Sequence, residues 1–406
     1  AQAILAQAPL RGSAQISSKP PTMAPGGGYG GCGDSGEVQV QSMPSKRVKQ
    51  SCTGREAKAM DPKLYDAHSL AQASLHTLAA KMLHAAATAA AEAAVQNGDS
   101  YVGLLVVGPA TGVNDIASIK KDVLPAMRLV TALPIRLLFA DLPSNDSRML
   151  LAEAATLENG ENIWATAKVG FAAKRITESE SLHFVMSLST LHWMQQLPWG
   201  TDQAQLGGAI SYVTLPPSPM AELRALADEE LQGFFSSRMA ELRPGGQMVA
   251  TFDGETSDVS HQFSRTYFLA EKALKAMIEE ELLPHDFMVH YFIPTVSYSE
   301  ERCNAMLTEC GLNAIEKTFL DIPCPYLLAW QANHDSVKHA DEVANAFLAC
   351  FKQQLLDAMA ACKVPEGESL LQQLRSRMSK FVAEAPAQFH TGGITAFVHT
   401  AKPAAS

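Results

Sequence analysis

From Asp61 onward the chain alternates helical periodicity with short apolar runs. Val102-Gly103-Leu104-Leu105-Val106-Val107 is continuously apolar and closes at Gly108, the pattern of a strand covered on both faces. Asn114 or Asp115 caps a helix whose apolar residues recur at helical spacing to about Leu129. A second run, Ile135 to Ala140, ends at Asp141. Strand, crossover helix and strand form a βαβ unit, so the sheet is expected to be parallel. Further strands are predicted at Leu182 to Met186, Gln247 to Phe252, Met288 to Phe292 and Ile394 to His399. Helices are predicted at Ala221 to Leu242, Ser299 to Cys310 and His339 to Ala361. The sum is an α/β fold, one doubly wound sheet running almost to the C-terminus. Two helical insertions, roughly 200–240 and 298–380, are expected to form a cap over one end of it.

Residues 1–55 break this pattern. Gly26-Gly27-Gly28-Tyr29-Gly30-Gly31 and its Ser-, Pro- and Gln-rich surroundings bury too little apolar surface to order themselves, so a disordered tail is expected before a single domain at 56–406. The tail has more base (Arg11, Lys19, Lys46, Arg47, Lys49, Arg55) than acid (Asp34, Glu37), which is compatible with a plastid transit peptide; an ordinary extension is the simpler reading. The formal net charge of −10 argues against a nucleic-acid partner, because phosphate binding needs dense Lys and Arg. Seven cysteines, scattered and without C-x-x-C, favour a reducing compartment such as the cytoplasm over a disulfide framework. The Ala-rich run Ala71 to Val95 carries Gln72, His76, Lys81, His84 and Glu92 and reads as a water-exposed helix, so no membrane partner is expected.

Two features carry chemistry. The turn Gly108-Pro109-Ala110-Thr111-Gly112-Val113-Asn114 follows the first strand, where ligands of doubly wound sheets bind and where glycine lets backbone approach a ligand. Asp141 ends the second strand, where a carboxylate accepts hydrogen bonds from ribose hydroxyls. The turn matches neither a dinucleotide nor a triphosphate fingerprint, so an adenosyl cofactor without a phosphate fits better.

Four segments, in order, resemble the SABATH family of small-molecule carboxyl methyltransferases. Tyr65-Asp66-Ala67-His68-Ser69-Leu70-Ala71-Gln72 resembles Y-x-x-N-S-x-x-Q, and Gly108 to Asn114 resembles G-C-S-S-G-P-N. Asp141-Leu142-Pro143-Ser144-Asn145-Asp146 resembles D-L-P-G-N-D, and the stretch from Ser181 through Trp193 to Pro198 resembles S-I-H-F-x-x-S-S-Y-S-L-M/H-W-L-S-Q-V-P. Val169-Gly170-Phe171, Arg243 to Val249 and Ile293-Pro294 are weaker echoes, and the likeness covers residues 60 to 402. The resemblance implies a Rossmann-like class I methyltransferase sheet that binds S-adenosylmethionine and methylates a small carboxylic acid, with a homodimer plausible. It implies that Tyr65, Ser69, Gly108, Gly112, Asn114, Asp141, Leu142, Gly170, Phe171 and Ser187 form the cofactor site, with Phe171 on the adenine and Asp141 on the ribose. It implies that Gln72 and Trp193 hold the substrate carboxylate and that His192 and Ser189 face the rest of the acceptor. A Trp or His in an apolar segment is otherwise more often core.

Three departures accompany the resemblance. The family's D-L-G before the turn is Val106-Val107-Gly108 here, which removes a carboxylate for which Asp115 is the candidate substitute. The D-x-F-N of metal-binding members is Val289-His290-Tyr291-Phe292, so no metal is expected. Ser189 replaces a substrate-facing tyrosine and widens or polarises the pocket. Two alternatives remain open: methylation of nitrogen on a purine-like acceptor, and a relative that kept the fold but lost the activity.

Overall fold

The computed structural model describes residues 62–145, 147–157, 162–199, 206–255, 264–389 and 393–404. The expected tail, 1–55, lies outside them. Two helices, α1 (Pro62–His68) and α2 (Leu70–Gln96), precede β1 (Val102–Val107). The crossover to β2 (Ile135–Asp141) is helical in three pieces: α3 (Val113–Ser118), a π-helical turn over Ile119–Val123, and α4 (Leu124–Val130). Pro125, near the start of α4, has no N–H to give the preceding turn, which accounts for the widened turn there. Then follow α5 (Ser147–Ala154), β3 (Ile163–Val169), β4 (Leu182–Leu188), α6 (Pro217–Glu241) and β5 (Leu242–Glu255). The C-terminal part holds α7 (Ser264–Glu279), α8 (Phe287–His290), β6 (Tyr298–Ser299), α9 (Glu300–Glu309), β7 (Asn313–Ile322), α10 (Pro325–Asn333), α11 (Ser336–Ala361), α12 (Gly367–Glu384) and β8 (Gly393–Ala401).

The strands lie in the order β3-β2-β1-β4-β5-β8-β7, with the short β6 beside β5. The pairs from β3 through β5 are parallel, while β8 runs antiparallel to both β5 and β7. The all-parallel expectation therefore holds for the N-terminal five strands and gives way to an antiparallel pair at one edge. Strand order reverses between β1 and β4, and ligands of such sheets bind in the crevice at that reversal. Alternation along β1 shows how both faces are covered. Leu104 and Val106 pack with α2, α3 and α4, whereas Leu105 and Val107 pack with α6, α7 and α11. The buried face of α2 repeats at helical spacing (Ala79, Leu83, Ala86, Ala87, Ala90, Ala94), and its alanines let the helix sit close to the sheet.

One predicted strand is corrected. Met288 to Phe292 forms the short helix α8 and a following extended stretch, because Phe287, Met288, Tyr291 and Phe292 are buried at helical intervals while Val289 is exposed. Three strands were not predicted: β3 and β7, both at the sheet edges with mixed exposure and no clean alternation, and the two-residue β6. Within the stretch 200–240, α6 joins the parallel neighbours β4 and β5 as a crossover. The helices added to the alternating plan are α7 and α8 after β5, and α10 to α12 between β7 and β8. Among the described residues, no helix is long and apolar enough to cross a membrane.

Candidate functional site

The carboxyl ends of β1, β2 and β4 surround an open cleft of about 850 Å³. Gly108 (φ +71°) and Gly112 (φ +85°) turn the chain away from β1 in a conformation that suits glycine. Gly108 also leaves no room for a side chain, since a Cβ would lie 2.2 Å from Thr190 Cγ2.

Asp141 organises the next element. Its Oδ2 accepts from the Ala110 N–H at 2.8 Å and from Asn145 Nδ2 at 2.8 Å, and its Oδ1 accepts from the Leu142 N–H at 2.7 Å. Asn145 also donates to the Ala110 carbonyl at 2.6 Å, so one amide ties the β2 turn to the β1 turn. The Gly170 N–H donates to the Asp141 carbonyl at 3.0 Å. Burial raises the Asp141 carboxyl above the usual range, and the three hydrogen bonds to its side chain oppose the rise.

The first two helices close over the glycine turn. Thr111 Oγ1 donates to Asp66 at 2.7 Å, and Asn114 Nδ2 donates to Ser69 Oγ at 3.2 Å. Asn114 also bonds the Tyr65 hydroxyl, whose pKa burial raises. Their other side is fixed by α10 and α11: His68 Nδ1 pairs with Glu342 at 2.9 Å, and Tyr326 donates to the His68 carbonyl at 2.7 Å.

Val106 packs wholly in the core, on the side of α2 and α3. Asp115, at the start of α3, lines the cleft and is raised well above the ordinary carboxyl range by burial and by the nearby Asp141 charge. Among the described residues, the lining includes these two acids and no Lys or Arg. His76 is the other ionisable neighbour from α2; burial pushes its pKa down to about 4, and its Nδ1 bonds Ser118 at 2.9 Å.

A second cavity of about 770 Å³ adjoins the first. Its walls come from α1 and α2 (His68, Leu75), the end of β4 (His192), β5 (Asp253), α7 (Thr266, Tyr267) and α11 (Phe347, Cys350, Phe351). Four residues line both cavities: Tyr65, Gln72, Ser189 and Trp193. Ser189 adopts φ +58° and its N–H is held by Thr251 Oγ1 at 3.0 Å, a strained turn at the strand end. Trp193 is fixed by a bridge to Thr295, by the neighbouring Met194 N–H on the Pro294 carbonyl at 2.7 Å, and by packing on the Phe351 ring at 5.4 Å.

The remaining expected residues take different places. Leu142 lines the first cleft and His192 the second cavity. Gly170 and Phe171 are half-buried next to Ala172, which lines the first cleft. Ser187 is fully buried behind the cleft and donates to the Val107 carbonyl at 3.3 Å. Sequence reasoning did not single out Asn145 and Thr190, although both lie within the quoted motifs. It also missed Asp253, Tyr267, Cys350 and Phe351, which carry no local signal. Among the described residues, no group of three or more His, Cys, Asp or Glu side chains could hold a metal.

Comparison with known proteins identifies the family and the fold. The family described as SAM dependent carboxyl methyltransferase matches residues 56–399. Gibberellic acid methyltransferase 2 of Arabidopsis thaliana is 28% identical over 50% of this chain and 59% of its own length. Anthranilate O-methyltransferase 2 of Zea mays is 27% identical over 52% of this chain and 55% of its own length, so the chain spans little more than half of these two relatives. Jasmonate O-methyltransferase of Arabidopsis thaliana is 24% identical over 70% of this chain and 82% of its own length. A solved structure of loganic acid methyltransferase with SAH has the same fold, with a TM-score of 0.69 at 17% identity, covering 86% of this chain and 98% of that one. The chain belongs to the S-adenosylmethionine-dependent carboxyl methyltransferase family.

Proposed function

We propose that the chain methylates the carboxylate of a small organic acid, using S-adenosylmethionine. One observation carries the reading: two cavities meet at a shared wall of Tyr65, Gln72, Ser189 and Trp193. A transfer between two ligands needs such a junction, and its wall holds the two neutral donors suited to a carboxylate.

The first cleft fits the cofactor chemically. Asp141 offers a carboxylate for ribose hydroxyls, and Asp115, raised by burial, offers a second acid whose ionisation a cationic ligand would favour, in a lining that holds no Lys or Arg among the described residues. We infer that Asp115 takes over the role that Val106 has lost. Tyr65, Ser69, Gly108, Gly112, Asn114, Leu142, Gly170 and Phe171 complete the site, while Ser187 acts from behind by fixing the β1 carbonyl next to Gly108. When bound, S-adenosylmethionine supplies a methyl group activated by the sulfonium charge.

The protein's own task is alignment. A carboxylate is ionised at neutral pH and acts as its own nucleophile, so no general base is required. The Gln72 amide and Trp193 indole N–H orient it without the charge pairing that would blunt its reactivity. His192 stays neutral, because burial pushes its pKa down to about 3, so it contributes shape and hydrogen bonding to the acceptor pocket. Helices α7 and α11 form one wall of the acceptor cavity, and alignment in a site shielded from water is what the transfer requires. The five cysteines among the described residues are free, which supports a reducing compartment, the cytosol in our reading.

Initial rates with a panel of carboxylic acids and purines test the proposal. Methyl incorporation into acids, with purines inert, supports it. Incorporation into a purine nitrogen, or binding of the cofactor without turnover of any acid, sinks it.

A further inference from the structure

On the carboxyl-methylation reading, we infer that Asp253 and His192 form a hydroxyl-binding subsite, and that the acceptor is a carboxylic acid bearing a hydroxyl group away from its carboxylate.

Asp253 lies near the carboxyl end of β5, is 5% exposed, and lines the second cavity. A carboxyl group among Tyr267, Phe347 and Phe351 is costly unless something pairs with it. Its neighbour is His192, whose Nδ1 is 3.6 Å from Asp253 Oδ1, beyond hydrogen-bonding distance. That buried Nδ1 has no hydrogen-bond partner among the described residues. Both residues therefore line the same cavity, with a gap between Nδ1 and Oδ1 that neither closes.

With a small turn of the imidazole that brings the buried Nδ1 to the cavity, one oxygen about 2.8 Å from each would close it. A hydroxyl suits this position because it donates to one group and accepts from the other, and the imidazole tautomer can adapt. An ammonium group suits it less. It offers no acceptor to the O–H of a protonated carboxyl, and burial alone pushes Asp253 up to about 8. The apolar rings around the pair favour a ring or hydrocarbon skeleton for the rest of the acid. The carboxylate then lies at Gln72 and Trp193, and the hydroxyl toward β5.

The test uses paired acids: benzoate and phenylacetate, each with its ring-hydroxylated and aminomethyl counterparts. Binding to the full chain is measured by calorimetry with S-adenosylhomocysteine present, on wild type, Asp253→Asn and Asp253→Leu. At least one hydroxylated acid binds wild type about tenfold or more tighter than its plain partner, as one well-placed hydrogen bond to a charged or buried group allows. Asp253→Leu removes that preference while still binding the plain acid, and Asp253→Asn keeps part of it because the amide oxygen still accepts. Melting temperatures establish that both variants fold. Equal binding of all paired acids, no binding of any, a preference for aminomethyl acids, or a preference undiminished in Asp253→Leu overturns the proposal. A hydroxy acid that binds with the expected preference but yields no methyl ester supports the subsite and instead removes the carboxyl-transfer reading.

Discussion

Replacing Asp141 with asparagine separates what this side chain does for the fold from what it does for a ligand. A carboxylate offers about four acceptor positions. Three are filled by the Ala110 N–H, the Leu142 N–H and Asn145 Nδ2 at 2.7–2.8 Å. One remains on Oδ1. Asparagine keeps the shape but turns an NH₂ group toward at least one of the fixed donors. If its oxygen stays at the Oδ2 position, the amide nitrogen faces the Leu142 N–H, and an unsatisfied buried donor costs roughly 1–3 kcal/mol of stability. That loss is common to the free and the bound protein and cancels in the binding constant. Affinity reports the ligand's own bond to a charged acceptor, worth about 1.5–3 kcal/mol, or roughly 10- to 150-fold at 1.4 kcal/mol per tenfold. Calorimetric titration with S-adenosylhomocysteine measures the second quantity and thermal melting the first. Asn145→Ala is the control: it loses the tie between turns but keeps the carboxylate, and its affinity falls less. An Asp141→Asn protein that melts lower yet binds within threefold of wild type refutes the assignment of the ribose to Asp141.

Further consequences follow from the same geometry. Trp193→Phe keeps a ring against Phe351 but loses the indole N–H together with the second ring, so kcat/KM for an accepted acid falls about tenfold or more while the melting temperature falls only by the lost packing. Gly108→Ala forces a Cβ to within 2.2 Å of Thr190 at φ +71°, and denaturant unfolding registers a loss of at least about 2 kcal/mol together with lost cofactor binding. Asp253→Asn changes the pH dependence of stability. The folded carboxyl is raised from 3.8 to about 8, so ionisation opposes folding, and wild type loses stability as pH rises from about 4 to about 8 and then levels off. The asparagine variant lacks this loss. Its melting temperature relative to wild type therefore climbs across that window, by an amount equivalent to a few kcal/mol, since each tenfold change in proton affinity is worth about 1.4 kcal/mol. A difference independent of pH contradicts the argument.

How much of this was legible in the sequence depends on how local the cause is. β1, β2, β4, β5 and β8 were readable because each carries a short run of mostly apolar, buried residues, unbroken in β1. The edge strands β3 and β7 were not, because mixed exposure leaves neither a run nor an alternation. Met288 to Phe292 misled because a short, mostly apolar run fits a strand and a helical turn equally well. The first cleft was largely readable, since its residues fall in turns directly after strands, and Asn145 was hidden only by its neighbour Asp141. The second cavity was half readable. Gln72, Ser189, His192 and Trp193 sit in compact motifs, but Asp253, Tyr267 and Phe351 come from β5, α7 and α11 and converge only once the cap helices are placed. Asp253 follows an apolar strand run, where an acid reads as a solvent-facing end position and not as the wall of a cavity.

The central claim is that the carboxylate of the acceptor is itself the nucleophile, held at the wall between two cavities. The most direct measurement is product analysis after incubation with methyl-labelled S-adenosylmethionine and an accepted acid whose two carboxyl oxygens carry a heavy isotope. The account predicts a methyl ester that carries the label and retains both heavy oxygens, with formation slowed in Trp193→Phe. A product methylated on nitrogen or on a hydroxyl, an ester that has lost one of the heavy oxygens, or cofactor binding with no methylated product would contradict it.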